Sequence, residues 1–176
     1  MNIIIEPYNK QWPVDYELES FKIKQFVEDN LVQIYHIGST SVPQLAAKPI
    51  IDILLVVSDL DALDSKQTDF EKLGYEVMGE FGMPGRRYYR KGGDNRTHQI
   101  HAFHVSNLYD IERHLIFRDY LRKHKNDRDA YGELKTQLAL QFPNDIDSYG
   151  DGKDDLVKAI EHRALQWYYR DVRTGK

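Results

Sequence analysis

The chain has 176 residues, 41% of them hydrophobic and 30% charged, with no cysteine and a formal net charge of −4. This length and apolar fraction suit one domain with a real core. The lack of cysteine excludes disulfide frameworks and thiolate metal sites and fits a reducing, cytoplasmic setting. The negative charge argues against broad, sequence-independent nucleic-acid binding. The unbroken apolar run Ile53–Val57 is far too short to span a membrane. The start, "MNIIIEPYNKQW", lacks the basic and apolar regions of a signal peptide.

In chain order, Ile3–Ile5 reads as a short edge strand. Pro13 then opens a helix whose stripe is Tyr16, Ile23, Phe26 and Val27. Val32–Ile37 is a strand, and Ile50–Val57 is a central strand buried on both faces. Leu60, Leu63, Phe70 and Leu73 predict one amphipathic helix ended by Gly74. Tyr75–Met78, Arg87–Arg90 and His98–Val105 are further strands, with "KGGDN" as a hairpin turn. From Ser106 the period turns helical. Helices are predicted over Leu108–Lys125, Asp129–Phe142 and Asp154–Arg170, with Pro143 separating the last two. Leu134, Leu138 and Phe142 stripe the second, and Leu156, Ile160, Ala164 and Trp167 the third. Strands first and helices later indicate an α+β fold, with a sheet-rich part over 1–105 and a helical part over 106–176 in one domain.

The stretch "HIGSTSVPQLAAKPIIDILLVV", His36–Val57, carries the candidate chemistry. Gly38 after a strand lets backbone approach a ligand closely. Ser39, Thr40 and Ser41 add hydroxyls and amides. Pro43 can start a short helix, and Pro49 extends Lys48 and stops it. Asp52 then enters on the next strand, among apolar neighbours where a carboxylate is costly without a partner. Hydroxyls, amides and a lysine around one acid suit a metal-phosphate site. A capped turn beside a structural aspartate would look the same.

These residues resemble the signature of the nucleotidyltransferase superfamily, a Gly-Ser step followed on the next strand by an aspartate. More closely, the chain resembles the GrpB family through "PYNKQW", "HIGSTSVPQLAAKPIIDI", "THQIHAFHV", "FRDYLRKH", "YGELK" and "ALQW". Gln44 stands where that family usually has glycine, and Gln99 where it has a second histidine. The resemblance implies a nucleotidyltransferase-like mixed sheet with flanking helices. Active members of that superfamily hold two Mg²⁺ ions with acids two residues apart on one strand face and a third acid from a neighbouring strand. Here Leu54 occupies the partner position of Asp52.

The strand "THQIHAFHV" offers His98, His101 and His104. Spacing by three sends them to alternate faces, so His98 and His104 share one face and His101 takes the other with Gln99. His101 or His98 could replace the third acid, as a ligand better suited to Zn²⁺ or Mn²⁺ than to Mg²⁺, or as a base. The basic segment "PGRRYYRKGGDNRTH" leads into this strand with Arg86, Arg87, Arg90, Lys91 and Arg96. It is either a solvated hairpin or one wall of an anion site. Arg118 lies near Ile111 and Leu115 on its helix and points inward to an acid or a phosphate.

The reading is therefore a nucleotidyltransferase-like protein for metal-dependent nucleotidyl or phosphoryl transfer, with an incomplete acid pair. The alternative is a catalytically degenerate module that binds a nucleotide or phosphometabolite. Catalysis would fall to Asp52 and His101, and divalent metal (Mg²⁺, Mn²⁺ or Zn²⁺) to Asp52, His98 and His101. A nucleoside triphosphate or other phosphorylated ligand would fall to Gly38, Ser39, Thr40, Lys48, Arg86, Arg87, Arg96 and Arg118.

Overall fold

The computed structural model describes residues 2–175. Five strands form one mixed sheet in the order β1-β2-β5-β4-β3: β1 Leu31–Ile37, β2 Ile51–Val57, β3 Tyr75–Val77, β4 Arg86–Lys91 and β5 His98–His104. β2 runs antiparallel to β1 and parallel to β5, while β4 pairs antiparallel with both β5 and β3. The β4–β5 hairpin closes through Gly92 and Gly93, both at positive φ, with Thr97 N–H donating to the Lys91 carbonyl at 2.9 Å.

β2 is buried on both faces because the two faces meet different layers. Ile51, Ile53, Leu55 and Val57 point to a core shared with α1 (Gln11–Val27), α2 (Leu60–Asp64) and α3 (Gln67–Lys72), where Trp12, Ile23, Leu63 and Phe70 join them. Leu54 and Val56 point the other way, into a smaller cluster with Ile37 and Phe103, capped by Ile111 and Leu115 of α4 (Leu108–Lys123). On that second face α4 packs with α5 (Lys125–Gln141) and α6 (Ile146–Trp167) around Val42, Leu45, Ile116, Leu121 and Ile160. The helices sit beside a mixed sheet, an α+β architecture.

Several expected boundaries move. Ile3–Ile5 forms no strand: Ile3 is buried against Leu138 and Tyr149, its N–H donates to the Pro143 carbonyl at 2.8 Å, and a single bridge joins Glu6 to Ala47. α1 starts at Gln11, whose N–H donates to Asn9 Oδ1 at 2.8 Å, and Pro13 sits inside the first turn where no amide donor is needed. The single helix over 60–73 is two, α2 capped by Asp59 and α3 stopped at Gly74 with φ 97°. α5 begins at Lys125 rather than Asp129, and α6 at Ile146 rather than Asp154. In α6 the Asp145 side chain accepts from Ser148 N–H, and the helix runs straight through Gly150 and Gly152. Gly152 is there for space: a Cβ on it would lie 2.5 Å from Leu138 Cδ2 of α5. Among the described residues no helix is long and apolar enough to cross a membrane.

Candidate functional site

The β1–β2 pairing builds the centre of the site. Ile37 lies opposite Asp52, so Gly38 leaves β1 directly beside the Asp52 carboxylate. Gly38 has φ 72° and ψ −175°, and a Cβ on it would lie 2.6 Å from Asp52 Oδ2. Both the backbone conformation and the close approach therefore demand glycine. The next residues form a short 3₁₀ turn, Ser39–Ser41, in which Ser41 N–H donates to the Gly38 carbonyl at 3.1 Å.

This turn is pinned from beneath. Thr40 Oγ1 donates to the Ile50 carbonyl at 3.1 Å, so His36 Nε2, 3.0 Å away, donates to Thr40. Burial holds His36 neutral by pushing its pKa down to about 4, and its ring stacks on Tyr16. Arg122 donates to the Ser41 carbonyl at 3.0 and 2.8 Å, and Arg118 to the His36 carbonyl at 3.1 Å. Gln44, at the position where glycine was expected, has φ 71°, in the left-handed region that favours glycine.

Across the sheet, Asp52 pairs with Gln99 and Leu54 with His101, so all four face the helical part. His101 Nε2 donates to Asp52 Oδ1 at 3.4 Å. The Gln99 amide nitrogen donates to the same oxygen at 3.0 Å, and its carbonyl oxygen accepts from Tyr88 Oη and Arg96, each at 3.3 Å. His101 Nδ1 is buried without a partner, and its ring lies 5.4 Å from that of His114. Burial first, then the neighbouring His101, holds His114 well below the ordinary histidine range.

Above Asp52 opens a cleft of about 280 Å³ whose far wall is helical. Lys135 of α5 is 2% exposed and donates from Nζ to Ser39 Oγ at 2.8 Å. Its ammonium sits 4.4 Å from the centre of the Tyr131 ring. Lys48 and Lys153 of α6 each hold Nζ 5.1 Å from the centre of the buried Tyr149 ring. Burial lowers all three lysines. Lys48 falls to about 8 through burial and then the charge of Lys153, and Lys135 falls well below the usual range through burial and then Lys153 and Lys48. Asp52 opposes the shift in each case. Burial raises the Tyr131 hydroxyl to about 12.

Gly38, Ser39, Thr40, Lys48 and Asp52 come together as the spacing suggested. His101 reaches Asp52 from the neighbouring strand, and Arg96 borders the site through Gln99. Other expected residues are not brought there. His98 pairs with Ile51 and faces the opposite layer, 3.5 Å from Glu19, because one residue of register moves a side chain to the other face. Arg87 is on that side too, in a two-pronged pair with Asp64 at 2.8 and 3.1 Å. Arg86 donates to the Phe81 carbonyl at 2.9 Å and lies over Tyr88. Arg118 braces β1 from behind the turn.

The sequence reading missed Lys135, Lys153, Tyr131, Tyr149, Arg113 and His114. The signal was present in the helical stripes. Lys135 falls between buried Tyr131, Leu138 and Ala139 on one face of α5, and Lys153 between Tyr149 and Val157 on α6. A cation inside an apolar stripe marks a buried charge with a task.

The donor set does not fit a resident divalent cation. Asp52 stands without a paired acid, and the Leu54 position is filled by fully buried hydrocarbon. The ligand space beside Asp52 is lined by Lys48, Lys135, Lys153 and Arg113, against Asp52 and Glu161. Among the described residues no group of three or more His, Asp or Glu side chains gathers as a metal set. What the cleft offers instead is fixed cationic donors, a hydroxyl and a glycine-lined backbone, the equipment for holding an oxyanion.

The fold and this cleft define a class, and comparison with known proteins identifies it: the chain belongs to the GrpB family, whose model, described as GrpB protein, matches residues 2–163. A crystal structure of conserved protein GrpB from Enterococcus faecalis superposes with a TM-score of 0.92 at 47% identity, covering 95% of this chain and all of that one. Among curated relatives, UPF0157 protein YqkA of Bacillus subtilis is 44% identical over 160 residues, 91% of this chain. The chain spans only 46% of that relative's length. UPF0157 protein PA4798 of Pseudomonas aeruginosa is 38% identical over 93% of this chain and 68% of its own. A dephospho-CoA kinase of Mycolicibacterium paratuberculosis matches at 24% identity, over 92% of this chain and 46% of the kinase.

Proposed function

We propose that the cleft binds the phosphoryl end of a small phosphorylated ligand, a nucleotide or a phosphometabolite, on a nucleotidyltransferase-like scaffold. The observation that carries this reading is the convergence of Lys48, Lys135 and Lys153 on the Ser39 turn, with Lys135 buried to 2% exposure yet hydrogen-bonded to a neutral hydroxyl. Buried ammonium groups that depress one another's pKa are costly unless an anion arrives between them.

Transfer of the phosphoryl or nucleotidyl group is a second reading, and the Asp52–His101 pair favours it. Asp52 is the member of that pair that lines the cleft, and it would serve as the general base, held at 3.4 Å by His101, whose other ring nitrogen is buried.

A thermal-shift panel of nucleoside triphosphates, inorganic pyrophosphate and inorganic phosphate tests the binding reading. At a ligand concentration of about 100 Kd, stabilisation of about 2.7 kcal/mol is expected, a rise of roughly 5–10 °C for a domain of this size. The rise should shrink in Ser39→Ala and Lys48→Met. No shift with any phosphorylated compound refutes the reading. If a triphosphate is consumed and Asp52→Asn abolishes that consumption, the transfer reading gains; consumption that survives Asp52→Asn places the chemistry elsewhere.

A further inference from the structure

We infer that the cleft takes its phosphorylated ligand as a metal-free anion, with Lys48, Lys135 and Lys153 supplying the charge that divalent cations supply in two-metal phosphoryl sites. The inference rests on the phosphoryl-binding reading above and adds the ionic form of the ligand to it.

Three independent features of the cleft support the inference. The first is the strand that should carry a metal. Asp52 points into the cleft, but the side chain two residues on along the same face is Leu54, at 0% exposure and enclosed by Ile37, Val56 and Phe103. A hard dication needs several oxygen ligands. Here Asp52 Oδ1 is already shared between Gln99 and His101, which leaves the single oxygen Oδ2 for a cation.

The second feature is charge balance. Lys48, Arg113, Lys135 and Lys153 line the cleft against Asp52 and Glu161. A dication adds to a surplus of positive charge, whereas a phosphoryl dianion offsets it. The lysines already repel one another: Lys153 and Lys48 each help to lower Lys135, and Lys153 helps to lower Lys48. An incoming anion relieves that repulsion at Lys48 and Lys135.

The third feature is rigidity. The ammonium groups are held rather than free: Lys135 by Ser39 and the Tyr131 ring, Lys48 and Lys153 each by the Tyr149 ring. Fixed donors lose little freedom when the ligand arrives. Tyr149, whose ring both lysines meet, has its Oη buried without a hydrogen-bond partner.

Calorimetric titration with inorganic pyrophosphate, in EDTA and then in excess Mg²⁺, tests the inference on the intact chain. Binding in EDTA is expected, and Mg²⁺ should weaken it several-fold by neutralising the probe. Lys135→Met should bind roughly tenfold or more weakly in EDTA, the loss of one charge-assisted hydrogen bond. Lys153→Gln, at a less buried position, should weaken binding in the same direction, so the test does not depend on one variant folding. Binding that needs Mg²⁺ and disappears in Asp52→Asn overturns the inference while leaving the phosphoryl reading standing. Absence of binding in both conditions overturns both.

Discussion

The two faces of the sheet treat buried charge in opposite ways. On the α1 face, Glu19 is 4% exposed and meets Tyr75 Oη at 3.1 Å, Lys91 Nζ at 2.9 Å and His98 at 3.5 Å. One acid accepts two hydrogen bonds and lies against a histidine, and the group ties α1 to β3, β4 and β5. On the other face the sign is reversed and the account is open. Lys135 is buried as deeply, but its hydrogen bond goes to the Ser39 hydroxyl, and its charged neighbours Lys48 and Lys153 repel it. A closed polar group specifies structure, while an unbalanced one in a cleft is poised for a partner from solution. The contrast also explains why His98 and His101, three residues apart on β5, have different surroundings: the pleat sends one to each face.

The largest effect that would break this comparison lies on the closed side. Glu19→Ala removes the acceptor shared by Tyr75 and Lys91 and should destabilise the protein by about 3 kcal/mol, read from urea unfolding. Lys91 keeps a 24% exposed side chain and can turn to water, which holds the cost below that of a fully buried pair. Lys135→Met on the open side should have a smaller effect of opposite tendency. Without ligand, the variant should unfold at the same free energy or up to about 2 kcal/mol higher, because a repelled buried cation is replaced by hydrocarbon of similar length. If Lys135→Met instead costs as much as Glu19→Ala, the lysine is a structural tie and the two faces are alike.

Much of the sheet side was legible, because its signals are local. Alternation and apolar runs give β1, β2 and β5, and Gly38, Ser39 and Asp52 are joined by one antiparallel turn of chain. The helical wall of the cleft was not. The third long helix is predicted from Asp154, one residue after Lys153 and past Tyr149, whereas it begins at Ile146 and includes Gly150 and Gly152, both poor helix formers. Gly152 in fact lets α5 and α6 close on each other at Leu138, and Gly132 lets α5 approach Leu45 and the Ala46 backbone. Those two contacts carry Lys135 and Lys153 over the Ser39 turn. Long-range helix packing of this kind leaves only a weak mark in sequence, a glycine where propensity disfavours it. Arg86 and Arg87 misled for the converse reason. They sit in a basic run beside the site, yet the pleat and the loop before β4 give them Asp64 and backbone carbonyls as partners.

The smallest expected effect is also the most specific to the open face, and it is a pH dependence. Burial and then Lys153 push the Lys48 ammonium from 10.5 down to about 8. Between those values the unfolded chain binds more protons than the folded one, so the stability of the ligand-free protein rises with pH across that window. Below about 8 the full penalty of the buried charge is present. Lys48→Met removes the titrating group, so the parent should gain on the variant by about 1 kcal/mol between roughly pH 8 and 10.5, after allowance for solvent screening. His98, lowered by burial, and Tyr75, raised by it, are common to parent and variant, so their titration cancels from the difference. Saturating pyrophosphate should flatten the slope, since a bound anion favours the charged lysine in the folded state. A slope identical in parent and variant, with and without pyrophosphate, would mean that Lys48 titrates as a solvated surface group and that the open face carries no surplus charge for a ligand to offset.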